Sequence, residues 1–472
     1  MSTFANAVMN QEARTENGMK ARKSTANAVV DLFYKIGSMR GQDITAPFTA
    51  AFVQNKDLAL RIAAWVRDIR GGSGERETFR NILRLLDQTD PEACFALMNK
   101  VPELGRWDDL LVITNKELRD HAFAMIKRAL TDGNGLCAKW MPRKGPVAIE
   151  LRNAFGWTPK FYRKRLVELT NVVETAMCSG KWDGINFSHV PSVASSRYKK
   201  AFNRHTPKYG EYVAALVKGE DKTVKVNANA IFPHDAIKGR LNTYNMKFDA
   251  TELALIEAQW NALPNYVGDK NIMPIVDVSG SMYCPAGKNQ NLQCIDVAVS
   301  LGLYLADKNK GKFHGTFLTF SDRPNLVTLR GNINNKLSQL VRADWGGSTN
   351  LHASLDKILD VAVKGKVDQS EMPEMLLVLS DMQFNFCVRY DDSAMEMIER
   401  KYAAAGYEVP KIVFWNLNSH DNVPVKADKT GVALVSGFSP SILPALLSGN
   451  TEQFTPEGIM LETIMKDRYA VL

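Results

Sequence analysis

The chain has 472 residues, 45% of them hydrophobic and 23% charged, a length beyond what one hydrophobic core ordinarily serves and a composition that excludes a disordered protein. No window approaches the roughly 20 uninterrupted apolar residues of a membrane span, and the opening Met1–Asn6 lacks the basic-then-apolar pattern of a signal peptide, so a cytoplasmic protein is expected. The formal net charge of +8 is unevenly placed: residues 1–270 carry 40 Lys and Arg against 29 Asp and Glu, whereas residues 271–472 carry 19 against 22.

Residues 1–24 are polar and read as a flexible N-terminal segment. From Thr25 the pattern turns helical, with Val29, Val30, Leu32, Phe33 and Ile36 on one apolar face. A second helix runs from about Lys56 through Leu58, Ile62, Trp65, Val66 and Ile69 and stops at Gly71-Gly72-Ser73-Gly74. That glycine loop is no phosphate loop, because no buried strand precedes it and no Gly-Lys-Ser/Thr closes it. It reads as a helix–helix turn. Further helices are expected over 75–86, 91–99, 108–112 and 116–130, so residues 25–135 read as antiparallel helical hairpins without a clear strand.

Residues 139–208 then hold 14 basic and only 4 acidic residues. Helices are expected over 147–155, 159–175 and 211–217. Trp182, Phe187, Tyr198, Phe202, His205 and Tyr209 are interleaved with cations, the combination that binds phosphates while stacking on unpaired bases. Taken singly, each ring suits a core equally well. Lys139, Arg143, Lys144, Arg163, Lys164, Arg165, Lys199, Lys200, Arg204 and Lys208 are the candidate RNA contacts. The six cysteines, Cys94, Cys137, Cys178, Cys284, Cys294 and Cys387, have no Cys-x-x-Cys spacing and no clustering with histidine. They read as reduced, mostly structural thiols, not zinc ligands or a disulfide framework.

After a helix at Thr251–Asn261 the pattern alternates. Strands are expected at 272–276, 316–320, 375–380, 411–416 and 431–435, with helices at 292–306, 334–341, 351–363 and 393–405, which implies a mostly parallel sheet covered on both faces. The strand Ile272-Met273-Pro274-Ile275-Val276 ends in Asp277-Val278-Ser279-Gly280-Ser281, which can aim three oxygens at one point. Thr349 lies in a loop before a helix, and Asp381 ends the buried run 375–380. Hard oxygen donors of this kind suit Mg²⁺ or Mn²⁺. Helix capping by Asp277 and its serines is the alternative for the first three residues; it does not account for Thr349 and Asp381.

The order Asp-x-Ser-x-Ser, Thr, Asp resembles the metal-ion-dependent adhesion site (MIDAS) of von Willebrand factor A domains. The resemblance implies that Asp277, Ser279, Ser281 and Thr349 ligate the metal directly and Asp381 acts through water. The whole chain is similar to the Ro ribonucleoprotein family, whose N-terminal TROVE module is a HEAT-like ring of helical hairpins. It is closest to a branch of that architecture catalogued as a domain of unknown function. The resemblance runs through Thr15-Glu16-Asn17-Gly18, Ser24-Thr25-Ala26-Asn27, Arg67-Asp68-Ile69-Arg70-Gly71-Gly72-Ser73-Gly74-Glu75-Arg76, Gly105-Arg106-Trp107-Asp108-Asp109-Leu110, Ala138-Lys139-Trp140-Met141-Pro142, Val190-Pro191-Ser192-Val193-Ala194 and Phe232-Pro233-His234. It implies a helical ring or arch over 25–265 and a doubly wound A domain over 271–455, while the helical pattern of Ile459, Leu461, Ile464 and Met465 leads the C-terminal segment 456–472 to be expected to pack back on the helices. Ro proteins hold single-stranded ends of misfolded RNAs in the ring and small noncoding RNAs on its outer face, so an RNA-binding function is the implied one. A metal-dependent protein-binding scaffold that captures a partner's carboxylate is the alternative. A nuclease is disfavoured, because the metal motifs contain no histidine and offer neither a second metal nor an evident general base.

Overall fold

The computed structural model describes all residues except 1–11, 171, 219–222, 227–230, 242–249, 288, 341–348, 385–393, 419–421 and 449–452. The architecture is a helical arch followed by a doubly wound α/β domain. Among the described residues no helix is long and apolar enough to cross a membrane.

The N-terminal segment is not a flexible tail over its described part. β1 (Glu12–Arg14) and β2 (Lys20–Arg22) pair antiparallel around the turn at Thr15–Gly18. Met19 and Ala21 are buried, and Arg22 exchanges backbone hydrogen bonds of 2.9 and 2.8 Å with Val423. Buried side chains and a paired edge offset the entropy that leaves polar termini loose.

The arch begins with α1 (Ala28–Ile36), α2 (Thr45–Gln54), α3 (Lys56–Arg67), α4 (Arg76–Thr89), α5 (Pro91–Met98) and α6 (Val101–Leu104). Asn27 caps α1 by accepting from the amides of Val29 and Val30, and Asp90 and Pro91 start α5. Residues 107–112 form a 3₁₀ turn, then α7 (Lys116–Thr131), α8 (Gly135–Trp140), α9 (Pro146–Phe155) and α10 (Pro159–Leu169) stack on one another. The expected helix over 159–175 breaks after Leu169, and α11 (Val173–Cys178) is separate. α12 (Ser192–His205) and α13 (Lys208–Lys218) close a small core of their own, in which Phe187, Phe202 and Tyr209 are buried against each other. α14 (Pro233–Leu241) and α15 (Ala250–Asn261) complete the arch.

The α/β domain opens with β3 (Ile272–Asp277), the hairpin β4 (Pro285–Ala286) and β5 (Asn289–Gln293), and α16 (Cys294–Lys308). β6 (Thr316–Phe320), β7 (Leu326–Thr328), α17 (Ile333–Leu340), α18 (Leu351–Gly365), β8 (Met375–Ser380), α19 (Ala394–Ala404), β9 (Lys411–Asn416), β10 (Val432–Ser436), α20 (Leu443–Leu446) and α21 (Pro456–Ile464) follow. The sheet order is β10-β9-β8-β3-β6-β7, parallel except for β7. Alternate residues point to opposite faces. Ile275, Val378 and Phe414 pack with Leu355 of α18 and Ile398 of α19, while Val276, Leu379, Trp415 and Val435 join a second core with α16.

That second core does not stop at the domain edge. α1 and α21 both lie against β10, α15 lies against α17, and α14 against α16. The first and last helices of the arch thus both rest on the α/β domain, and one hydrophobic core runs from Val29 to Tyr469. The glycine loop after α3 is a docking point as well as a turn. A Cβ on Gly72 would lie 1.8 Å from the carbonyl oxygen of Trp65, so only glycine fits. The Gly72 carbonyl accepts from Ser441 Oγ, and buried Asp68 accepts from Arg468 and Tyr469.

Candidate functional site

β3 and β8 are adjacent and parallel, and β6 lies on the other side of β3, so the chain reverses its direction of travel at this point of the sheet. Open α/β sheets hold ligands in the crevice at the carboxyl ends of such strands. The register pairs Val276 with Leu379, which sets Asp277 opposite Ser380 and puts Asp381 just beyond. Ser380 Oγ donates to Asp277 Oδ2 at 2.5 Å, and the Ser279 amide donates to Asp277 Oδ1 at 2.9 Å. Ser279 Oγ and Ser281 Oγ are 3.0 Å apart. Thr349 Oγ1 donates to the Gln383 carbonyl at 2.9 Å, while the Gln383 amide donates to Asp381 Oδ1 at 3.2 Å.

The five residues singled out by sequence therefore occupy one cluster of loops. Asp277 and Asp381 are fully buried, Ser279 and Thr349 nearly so, and Ser281 is exposed at the mouth. Burial, then the nearby Asp381 carboxylate, push the Asp277 carboxyl up to about 7, against the pull of hydrogen bonds from Ser380 and Ser279. No Lys or Arg figures among the described groups acting on it. Two buried carboxylates side by side, flanked by hydroxyls, are a donor set that a hard divalent cation fits. Among the described residues no three His, Cys, Asp or Glu side chains converge, so a cation here would depend on hydroxyl oxygens.

Sequence reasoning missed one contributor to this cluster. The β1–β2 turn lies across the same loops. Thr15 Oγ1 donates to Phe384 O at 2.6 Å, the Glu16 amide to Gln383 Oε1 at 2.7 Å, and Asn17 Nδ2 to Gln383 O at 2.6 Å and Thr349 Oγ1 at 3.4 Å. The run Thr15-Glu16-Asn17-Gly18 was the available signal.

The ten candidate RNA contacts divide. Lys139, Arg143, Lys144, Arg163, Lys200 and Arg204 are exposed and make no ion pair among the described residues. Tyr162 Oη donates to Pro142 O at 3.0 Å, which pins the loop carrying Arg143 and Lys144 to α10, where Arg163 and Lys164 project. Phe161, on the same helix, is 50% exposed. Lys139 lines a cleft of about 320 Å³ with Glu174, Asn186 and His189, leading toward the start of α12. Lys200 and Arg204, four residues apart on α12, share a face.

Four cations have other engagements. Arg165 donates to the carbonyls of Leu130 and Thr131 at 2.9–3.1 Å, closing the C-terminus of α7. Lys199 pairs with Glu252 at 2.7 Å, Lys208 donates to the Asp183 carbonyl, and exposed Lys164 lies 3.8 Å from Glu168. The interleaved aromatics are mainly core. Phe187, Phe202 and Tyr209 are buried, Tyr198 donates to Glu174, and Trp182 stacks on His205 at 4.3 Å. Rings spaced along a short helical segment bury each other at lower free-energy cost than they remain in water.

Residues 15–125 and 151–272 match the family described as Domain of unknown function (DUF2828), and residues 271–468 match Domain of unknown function (DUF7788). The "Uncharacterized protein L728" of Acanthamoeba polyphaga mimivirus is 31% identical over 517 residues, covering 95% of this chain and 86% of the relative. Among solved structures, the crystal structure of Deinococcus radiodurans RO (RSR) protein aligns over 94% of this chain and 100% of that one, with a TM-score of 0.48 and 15% identity. With DUF2828 matched over 15–125 and 151–272, DUF7788 over 271–468, and a relative matched along nearly the full chain, the chain belongs to the same family as the mimivirus protein, carrying both domains of unknown function.

Proposed function

We propose that the protein is a cytoplasmic, non-catalytic RNA-binding component of a ribonucleoprotein, Ro-like in architecture, with the arch as the RNA-binding module. The observation that carries this reading is the exposed basic surface held together by the Tyr162–Pro142 hydrogen bond, where Arg143, Lys144, Arg163 and Lys164 neighbour exposed Phe161. Cations there neutralise phosphates of a single strand and the exposed ring offers a base one stacking surface. Lys139 in its cleft, then Lys200 and Arg204, extend the basic path.

The test is salt-dependent titration of a labelled single-stranded RNA. Binding falls with salt at a log–log slope of about −0.7 per phosphate neutralised. Replacing Arg143, Lys144, Arg163 and Lys164 by Ala is expected to weaken affinity and flatten the slope by up to about 3. Arg165 is left intact, because its removal would uncap α7. Equal affinity and slope in wild type and variant would sink the reading.

A second reading has its own observation, the buried Asp277–Asp381 pair with its hydroxyls. In this reading the α/β domain is a von Willebrand factor A-like module. Asp277, Ser279, Ser281 and Thr349 would hold Mg²⁺ or Mn²⁺, with Asp381 behind them. The cation would neutralise the two carboxylates and leave a position facing Ser281 for a partner's carboxylate. The Thr15–Gly18 turn closes the Thr349 side of the site, so a partner approaches past Ser281. Mn²⁺ titration followed by electron paramagnetic resonance, with Asp277→Ala as the control, decides whether a cation binds here.

A further inference from the structure

Beside the mouth of the carboxylate cluster two thiols face each other. β4 and β5 pair Pro285 with Gln293, and one step outward in that register Cys284 stands opposite Cys294. The Cys294 amide donates to the Cys284 carbonyl at 3.0 Å, and the two sulfurs are 3.4 Å apart. Directly opposed residues of an antiparallel pair have Cα atoms about 4.5–5.5 Å apart, within the roughly 4.4–6.8 Å that a disulfide spans. Closing the bond therefore needs side-chain rotation and no displacement of the strands.

The environment of the pair is asymmetric. Cys284 is partly exposed, while Cys294 is fully buried and its thiol contacts the Leu417 carbonyl at 3.3 Å. Asn418 Nδ2 donates to Cys284 Sγ at 3.3 Å. Such an arrangement gives an accessible sulfur with a resolving thiol beside it. Among the other described cysteines, Cys94 and Cys137 are buried and Cys178 is exposed and apart from another thiol.

We propose that Cys284 and Cys294 form a reversible intrachain disulfide when the protein meets hydrogen peroxide, and that this bond adjusts the adjoining carboxylate site. Cys284 sulfur attacks one peroxide oxygen: an S–O bond forms, the O–O bond breaks, and the departing hydroxide leaves as water with the thiol proton. Cys294 sulfur then attacks the Cys284 sulfenic acid: the S–S bond forms, the S–O bond breaks, and hydroxide leaves as a second water with the Cys294 proton. Two thiols and one peroxide become one disulfide and two waters; each sulfur loses one electron and the peroxide gains two. A dithiol reductant reverses the change. The link to the site is the Cys284 amide, which donates to the Ser281 carbonyl at 3.2 Å within the turn that presents the Ser281 hydroxyl. This second part rests on the metal reading above; the disulfide itself does not.

The experiment uses the full chain, reduced, then treated with stoichiometric hydrogen peroxide and alkylated before peptide mapping. Peptides containing Cys284 and Cys294 are expected to appear cross-linked, with the loss of two hydrogens, and to separate again with dithiothreitol. Cys294→Ala is expected to stop at a Cys284 sulfenic acid that dimedone traps. Both thiols remaining alkylatable, or a cross-link between other cysteines, would overturn the disulfide. Mn²⁺ titration of the two forms tests the coupling: about threefold weaker binding or more after oxidation is expected, and equal affinity overturns it. No Mn²⁺ binding in either form removes the metal reading and the coupling together, while the cross-link result stands.

Discussion

At Asp277 the folded chain keeps a proton that the unfolded chain has already lost. The group's ordinary value is 3.8, and burial beside Asp381 raises it to about 7. Below 3.8 both states are protonated, and the folded state holds its full advantage from this group. As pH rises from 3.8 toward about 7 the unfolded state ionises first, so stability falls through that window and levels off above it. Metal-free wild type is expected to lose thermal stability across this range, and Asp277→Asn to lose that part of the pH dependence, as read by melting at several pH values. Under the metal reading proposed above, added Mg²⁺ would compete with the proton, so its stabilising effect is expected to be larger at pH 8 than at pH 5. An identical pH profile in Asp277→Asn would exclude Asp277 as the titrating group.

Among the elements, the best-defined joint is the buried network around Asp109. Arg67 and Arg80 each donate to this carboxylate at 2.7 Å, and Asp109 also accepts from the Arg106 amide, so one side chain ties α3, α4 and the 3₁₀ turn at 107–112. Arg67 is 4% exposed and Asp109 is fully buried. Asp109→Ala leaves the buried Arg67 guanidinium without its carboxylate, while Arg80 keeps Asp108 and Glu77, and is expected to cost about 3–5 kcal/mol, measured as a lowered urea midpoint with an unchanged slope. Arg165 belongs to the same class of structural cation. Its removal frees the Leu130 and Thr131 carbonyls at the end of α7 and is expected to cost about 1–3 kcal/mol. The salt slope of RNA binding is expected to stay the same. A flattened slope in Arg165→Ala would return it to the RNA surface.

At the scale of the whole molecule the arch and the sheet stabilise each other. β10 buries Ala433 and Val435 in the core shared with α1 and α21, and Arg468 and Tyr469 fasten the C-terminus to Asp68 after α3. The N-terminal hairpin is a lighter attachment, held by buried Met19, the Thr15–Asn17 hydrogen bonds and the Arg22–Val423 bridge. Met19→Ala is expected to weaken its docking by about 2–5 kcal/mol. Hydrogen exchange should quicken at 12–22 and 382–384 while the global unfolding midpoint moves little. Unchanged protection there would place the anchor in the polar contacts instead.

What the sequence by itself determined is the local chemistry. Buried apolar runs ending in Asp277 and Asp381 mark strand ends, because a carboxylate cannot continue such a run. The strand–helix alternation after residue 270 likewise implies a covered parallel sheet. Only the tertiary structure decided which groups face one another. The hairpin at 12–22 has three-residue polar strands with no periodicity to read, and its order comes from backbone and side-chain groups far along the chain, at 349, 383 and 423. The helix Thr45–Gln54 buries only Phe48 and Ala51, too few for an apolar stripe. Arg165 and Lys199 look like their exposed neighbours until the carbonyls of α7 and the Glu252 carboxylate are brought beside them. Cys284 and Cys294, ten residues apart, meet only because a short hairpin folds between them. Periodicity reports whether a residue is inside or outside; the partner that sets a charge, a thiol or a hydroxyl to work is a matter of distance in space.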